Sequence, residues 1–222
     1  MTYRVPLSAR NEIKFVGNII YLQEVLLWIQ MNKLSFNNVY DKRKVNSIYF
    51  DSINAICYED NIIGHSSRTK LRVRWYNGNK KMNFELKRKR NSFGWKLIKT
   101  FTPNFDINNV RTIDLPELIR KELPTIYQYY IDIYSEPSVL ISYDREYFIS
   151  SDDAIRITVD TNQMFTDLVN GAFDRHEELD TFVVEFKFNR DDYNSVKKMI
   201  ENFPLRLSRN SKYINAKSCF IY

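Results

Sequence analysis

Polar and apolar residues alternate in many short runs along this chain, and helical spacing is confined to a few. Glu12 and Lys14 alternate with Ile13 and Phe15 over residues 10–16, the period-two pattern of a strand. Ile19, Leu22, Leu26 and Ile29 then recur at helical spacing and predict a helix over 19–31. Residues 45–51 (V-N-S-I-Y-F-D) are rich in strand formers, and 55–63 reads as a short helix stopped by Gly64. Strands are predicted over 68–76, 82–89 and 95–101, the first two joined by the hairpin turn Asn77-Gly78-Asn79. A second turn falls at Asn91-Ser92-Phe93-Gly94. Pro116 starts a helix near 115–119, Pro124 interrupts it, and another follows over 125–134. Strands resume over 138–149, 154–161 and 181–189, with a turn at 151–153. A last helix spans 191–202, capped by Asp191 or Asp192, and the stretch from Leu205 onward is short and mixed. About eight mostly consecutive strands with several helices make an α+β chain with an antiparallel sheet, enough strands to close a barrel.

The alternation also sorts charge. Lys70, Arg72 and Arg74 fall on one face of a strand, and Leu71, Val73 and Trp75 on the other. Glu85, Lys87 and Lys89 repeat this opposite Phe84 and Leu86. Tyr143, Arg145 and Tyr147 share a face, as do Arg156, Thr158 and Asp160, and Glu185 and Lys187 share one within T-F-V-V-E-F-K-F. One reading makes these the solvated outer faces of an ordinary sandwich. The other puts the apolar faces under helices and the charged faces inside a closed barrel, where Arg forks and Lys ammoniums hold an anion. Charges of one sign opposite each other on paired strands favour the second reading, because they destabilise a sheet unless something neutralises them. Glu12, Glu85 and Glu185 are either ion-pair partners or, together, ligands for a hard divalent cation shared with phosphate oxygens.

Composition narrows the partner. The 222 residues carry a net charge of +6, but residues 65–99 alone carry +11 and the rest of the chain −5. A basic centre in a mildly acidic chain points to a local polyanion site. Nucleic acid is the weaker candidate for that polyanion. Cys57 and Cys219 do not form a disulfide framework or a zinc pattern, and are expected to be free thiols of a reducing compartment. His65 and His176 lack metal-ligand spacing and a nucleophile partner, and the phosphate-binding glycine motifs are missing. No run is apolar enough to span a membrane and residues 1–9 hold no signal-peptide core, so a cytoplasmic, single-domain protein of residues 1–222 is expected. No role emerges for residues 102–136.

Several segments occur in order: R-x-E-x-K (Arg10, Glu12, Lys14), S-I-Y-F-D (47–51), K-L-R-V-R-W-Y (70–76), E-L-K-R-K (85–89), Y-D-R (143–145), I-R-I-T-V-D (155–160), V-V-E-F-K (183–187) and S-R-N-S-K-Y (208–213). Together they resemble the VTC domain of polyphosphate polymerases (vacuolar transporter chaperone). That family belongs to the triphosphate tunnel metalloenzymes. The resemblance implies an eight-stranded antiparallel β-barrel with a basic interior, flanked by helices. It also implies a Mn²⁺- or Mg²⁺-dependent transfer of the ATP γ-phosphate onto inorganic polyphosphate, releasing ADP. By matched motif, Arg72, Arg74, Lys87, Arg156 and Lys212 would be catalytic. Lys14, Lys70, Lys89, Arg145 and Tyr213 would bind phosphate, and Glu185 and Glu12 would hold the metal. The sister branch of adenylate cyclases and thiamine triphosphatases favours E-x-E-x-K on the first strand. Arg10 replaces the first Glu here, which favours the polymerase branch. A tripolyphosphatase or nucleoside triphosphatase of the same fold, and a non-catalytic polyanion-binding module, are the alternatives.

Overall fold

In a computed structural model of the chain, which describes residues 11–90, 93–169 and 175–220, the alternating runs become nine strands. They are β1 (Asn11–Asn18), β2 (Asn37–Asp51), β3 (Ser67–Tyr76), β4 (Met82–Arg90), β5 (Phe93–Phe101), β6 (Glu136–Ile149), β7 (Ile155–Asp167), β8 (His176–Leu179) and β9 (Thr181–Phe188). The helices are α1 (Leu22–Gln30), α2 (Ile56–Ile63), α3 (Leu115–Glu122), α4 (Thr125–Ile133), α5 (Tyr193–Met199) and α6 (Lys212–Ser218). The strands hydrogen-bond in the order β1-β9-β7-β6-β2-β3-β4-β5, with β8 paired to β7. The pairs β1–β9, β9–β7, β2–β3, β3–β4 and β4–β5 are antiparallel, so the α+β class with an antiparallel sheet and flanking helices holds.

Contacts divide the chain into two compact units. The first comprises Met1–Arg43, Tyr143–Gln163 and Leu179–Asn210. Its core is the apolar face of β1, β9 and β7, including Phe15, Val184, Phe186, Ile157 and Val159, packed with Val25 and Ile29 of α1 and Val196 of α5. Trp28 and Phe203 meet edge to face at 4.9 Å between ring centroids. Gly17 is needed in β1, since a Cβ there would lie 2.8 Å from the Leu205 side chain and 2.9 Å from Phe182.

The second unit comprises Lys44–Ser142, Met164–Glu178 and Ser211–Tyr222. Ile48, Phe50, Leu71, Val73, Phe84 and Leu86 line the apolar face of β2, β3 and β4, packed with Leu115 and Ile119 of α3 and Ile131 of α4. Each such side chain contributes about 1.5–3 kcal/mol by leaving water. Residues 102–136 thus acquire a role as the apolar cover of the basic strands.

Several elements differ from the sequence expectation, among them β8 and α6, which it lacks, and β7, which runs on to Asp167. β2 begins at Asn37, because its polar first half is held by strand pairing and is exposed, leaving no alternation to read. The predicted helix over 19–31 splits into a 3₁₀ turn (Ile19–Tyr21), capped by Asn18 Oδ1 accepting from the Ile20 amide, followed by α1. Residues Arg190–Asp192 also form a 3₁₀ turn, and neither aspartate caps α5 through its side chain. The turn predicted at Asn91-Ser92 lies outside the described residues, as does Arg10.

Candidate functional site

In the second unit, β2 and β3 place their polar side chains on one face by register. Ser47 stands opposite Arg74 and Tyr49 opposite Arg72. The opposite face of both strands is the buried apolar layer, so β3 is enclosed on its apolar side, while Arg74 is itself only 7% exposed. Arg72 Nε donates to Glu85 Oε2 at 2.7 Å and its Nη1 donates to the Tyr49 hydroxyl at 2.9 Å. Arg74 Nε donates to Ser47 Oγ at 3.0 Å. Glu85 also accepts Lys96 at 3.1 Å. Burial pushes the Glu85 carboxyl up, but Arg72, Arg74 and Lys96 outweigh it and hold it at about 2. Burial likewise opposes ionisation of the Tyr49 phenol, yet Arg72, Arg74 and Lys70 bring it down to about 8.

One row on this sheet consists of bases alone. Lys70 pairs in register with Lys87, and Lys87 with Lys96. Three ammoniums across three strands repel one another, and Glu85 offsets this at Lys96. Lys87 is exposed and Lys70 is half-buried, with its Nζ donating to Ser211 Oγ at 2.7 Å. Lys89 and Lys212 are also half-buried.

A buried carboxylate anchors the end of this polar face. Asp51 accepts from the amides of Ser52, Cys57 and Tyr58 at 2.7, 2.8 and 3.0 Å, which fixes the start of α2. Its second oxygen also accepts the Tyr213 hydroxyl in a short hydrogen bond. The Tyr213 ring stacks on Tyr49 at 5.2 Å, and burial and Asp51 push its phenol well above the ordinary range. Tyr213 therefore spends its hydroxyl on Asp51, fixes Lys212 at the start of α6, and props the Tyr49 ring from behind.

The first unit holds a second charged cluster. Lys14 Nζ lies 2.7 Å from Glu12 and 3.4 Å from Glu185, and donates to the Asn210 carbonyl at 3.3 Å. Glu185 also pairs closely with Lys187. Burial raises the Glu185 carboxyl, and Lys187, Lys14 and Arg145 overcome that to hold it at about 2. Arg145 makes a two-pronged bond to Asp160, Nε at 2.5 Å and Nη2 at 2.7 Å. Burial disfavours the Arg145 cation, but Asp160, Tyr143 and Glu185 raise its pKa well above the usual value. A cavity of about 300 Å³ opens beside Glu12 and Lys14, lined also by Ser208, Arg209 and Asn210. Arg156 is exposed and stands in register with Lys187.

The donor set suits a hard cation only in part. Glu12 and Glu185 share Lys14, and the buried Thr158 hydroxyl, in register with Glu185, has no hydrogen-bond partner. Among the described residues no group of three or more His, Cys, Asp or Glu is placed to hold a metal. Oxygen donors of this kind fit Mg²⁺ or Mn²⁺ that takes one or two carboxylates and completes its shell with phosphate and water.

The structure thus brings Lys70, Arg72, Arg74 and Tyr213 into one network and Glu12, Lys14, Arg145 and Glu185 into another. Sequence reasoning missed Tyr49 and Asp51. Both sit in S-I-Y-F-D, where Ser47, Tyr49 and Asp51 alternate with Ile48 and Phe50, and that alternation was the available signal. Tyr49 gives a pH prediction. Its phenolate, formed above about pH 8, adds a negative charge beside Arg72, so tripolyphosphate affinity is expected to fall as pH rises through about 8. In Tyr49→Phe that inflection disappears, as calorimetry across pH 7–10 would reveal.

Comparison with curated proteins finds no match. A protein from Hippeastrum, assigned as an adenylyl cyclase and reported to have a dominant triphosphatase activity, has a similar solved structure. The TM-score is 0.57 at 11% identity, covering 96% of this chain and 98% of that one. A Vibrio parahaemolyticus protein assigned as an adenylate cyclase is similar at TM-score 0.52 and 12% identity, covering 93% and 97%. At such identities the likeness shows the fold, that of the triphosphate tunnel proteins. The VTC domain model matches residues 9–221. This chain belongs to the VTC domain family.

Proposed function

We propose that residues 1–222 act as one catalytic domain, a polyphosphate polymerase that moves the γ-phosphoryl group of ATP onto the end of an inorganic polyphosphate chain and releases ADP. The observation that carries this reading is the excess of cations on one polar face, where Lys70, Lys87 and Lys96 fall in register beside Arg72 and Arg74 and Glu85 is the carboxylate set among them.

The reaction asks a protein mainly for positioning and charge neutralisation. Lys70, Arg72, Arg74, Lys87, Lys89 and Lys212 bind phosphate oxygens in the second unit, and Lys14, Arg145 and Arg156 do so in the first. Glu85 and Tyr49 hold the Arg72 guanidinium in one orientation, which lowers the reorganisation needed when charge shifts in the transition state. Tyr213 borders the phosphates of the second unit and steadies Tyr49, its ring stacked on that of Tyr49 and its hydroxyl donating to Asp51. A terminal phosphate oxygen of the acceptor attacks the γ-phosphorus, the bond to the bridging oxygen breaks, and ADP keeps that electron pair. The attacking oxygen is already anionic, so no side chain has to remove a proton. Glu185 and Glu12 would hold a Mn²⁺ or Mg²⁺ ion, which supplies neutralisation of phosphate charge.

A second reading rests on the dominant triphosphatase activity of the Hippeastrum protein, with water as the acceptor. Incubation with ATP and Mn²⁺ separates the two. Polymerase action yields phosphate chains of graded length on a gel together with ADP. ADP with free phosphate alone would replace the polymerase reading with the triphosphatase one, and binding without turnover would leave a polyanion-binding module.

A further inference from the structure

We infer that Tyr40, Arg43 and Tyr147 form a stacking site for the base of a nucleotide, next to Arg145 in the first unit. This rests on the reading that ATP is the phosphoryl donor, and adds how the enzyme distinguishes a nucleotide from a bare phosphate chain.

The site is built on the polar first half of β2, which has no apolar face to bury. Tyr40 is 48% exposed there, at a position where a charged side chain would be better solvated. It is nevertheless ordered by contacts. Its ring meets Tyr147 edge to face, 5.4 Å between centroids at 86°. The Arg43 guanidinium lies 4.1 Å from the Tyr40 centroid and 5.8 Å from that of Tyr147. On the other side, the Arg145 guanidinium lies 5.9 Å from Tyr147 and 5.1 Å from Tyr143. The sequence is therefore Tyr40, Arg43, Tyr147, Arg145, alternating π-face and cation, and it ends on the guanidinium that Asp160 locks beside Glu185.

A triphosphate alone needs only the cationic end of this ladder. A nucleotide uses both ends, since its phosphates pair with Arg145 while its base lies on the face of Tyr40 that Arg43 does not cover. Stacking of this kind tolerates different bases, so adenine and guanine nucleotides are expected to bind alike and pyrimidine nucleotides more weakly.

Titration calorimetry on the full chain in metal-free buffer at one salt concentration, with ATP, UTP and tripolyphosphate as probes, tests this. Tyr40→Ala is expected to weaken ATP binding about tenfold and leave tripolyphosphate unchanged. Tyr40→Phe, which keeps the ring, is expected to bind ATP as the native protein does. Tyr40 is half exposed, so the variant folds, and an unchanged thermal midpoint confirms it. The inference is overturned if Tyr40→Ala binds ATP as tightly as the native protein, or loses ATP and tripolyphosphate equally. Native protein that binds tripolyphosphate but not ATP would instead remove the donor reading, and with it this site.

Discussion

Arg72→Ala is expected to lower kcat for phosphoryl transfer by about 10²–10³-fold, the usual cost of removing one preorganised donor from a charge-stabilising site. The side chain links Glu85 on β4 to Tyr49 on β2, so its loss has two consequences that must be separated. One is the missing cation. The other is the buried Glu85 carboxylate, left with Lys96 and Arg74 as its remaining charge partners. The native pairing depresses the Glu85 pKa from its ordinary value to about 2, so the stability it confers is fully present above about pH 4.5 and is lost as pH falls towards 2. In Arg72→Ala the Glu85 pKa rises back towards its ordinary value, so that contribution is smaller and is exhausted at a higher pH. The double variant Arg72→Ala/Glu85→Ala removes both charges and is expected to recover stability at neutral pH while remaining inactive. Recovery of activity in the double variant would mean that Arg72 serves only to neutralise Glu85.

Asp160→Ala is expected to destabilise the fold by about 3–5 kcal/mol, because it leaves the buried Arg145 cation without its carboxylate. The side chains are 13% and 2% exposed, which leaves little water to take over the missing partner. For a chain of this length the midpoint of thermal unfolding should fall by roughly 6–20 °C. Glu185 lies close enough to Arg145 to influence its charge but is already engaged by Lys14 and Lys187. Replacing both partners by apolar residues, as in Arg145→Met/Asp160→Leu, should restore most of the stability and none of the phosphate binding. A near-native midpoint in Asp160→Ala would show that water reaches Arg145 and that the pair is not structural.

Much of this was legible from alternation alone. The faces of β3 and β4 follow directly from period-two spacing, and so do the buried Leu71, Val73, Phe84 and Leu86. What alternation cannot give is register. That Lys70, Lys87 and Lys96 fall in one row depends on how the hairpins pair, and Asn77 at φ 49° fixes the first of them. The polar first half of β2 and the short α6 lacked periodicity, so neither was read, although α6 carries Lys212 and Tyr213. Tyr213 shows the limit of motif reading. The S-K-Y segment singled it out, but only coordinates reveal that its hydroxyl is committed to Asp51, 162 positions away. Residues 102–136 had no role in sequence because their function is to cover apolar strand faces, which requires knowing where those faces are.

Diffraction from crystals grown with tripolyphosphate would show whether the basic face of β3 and β4 is a phosphate site. Phosphate oxygens should lie within hydrogen-bond reach, about 3 Å, of Arg72, Arg74 and Lys70. Tripolyphosphate bound only elsewhere on the chain, with that face holding water, would contradict that reading.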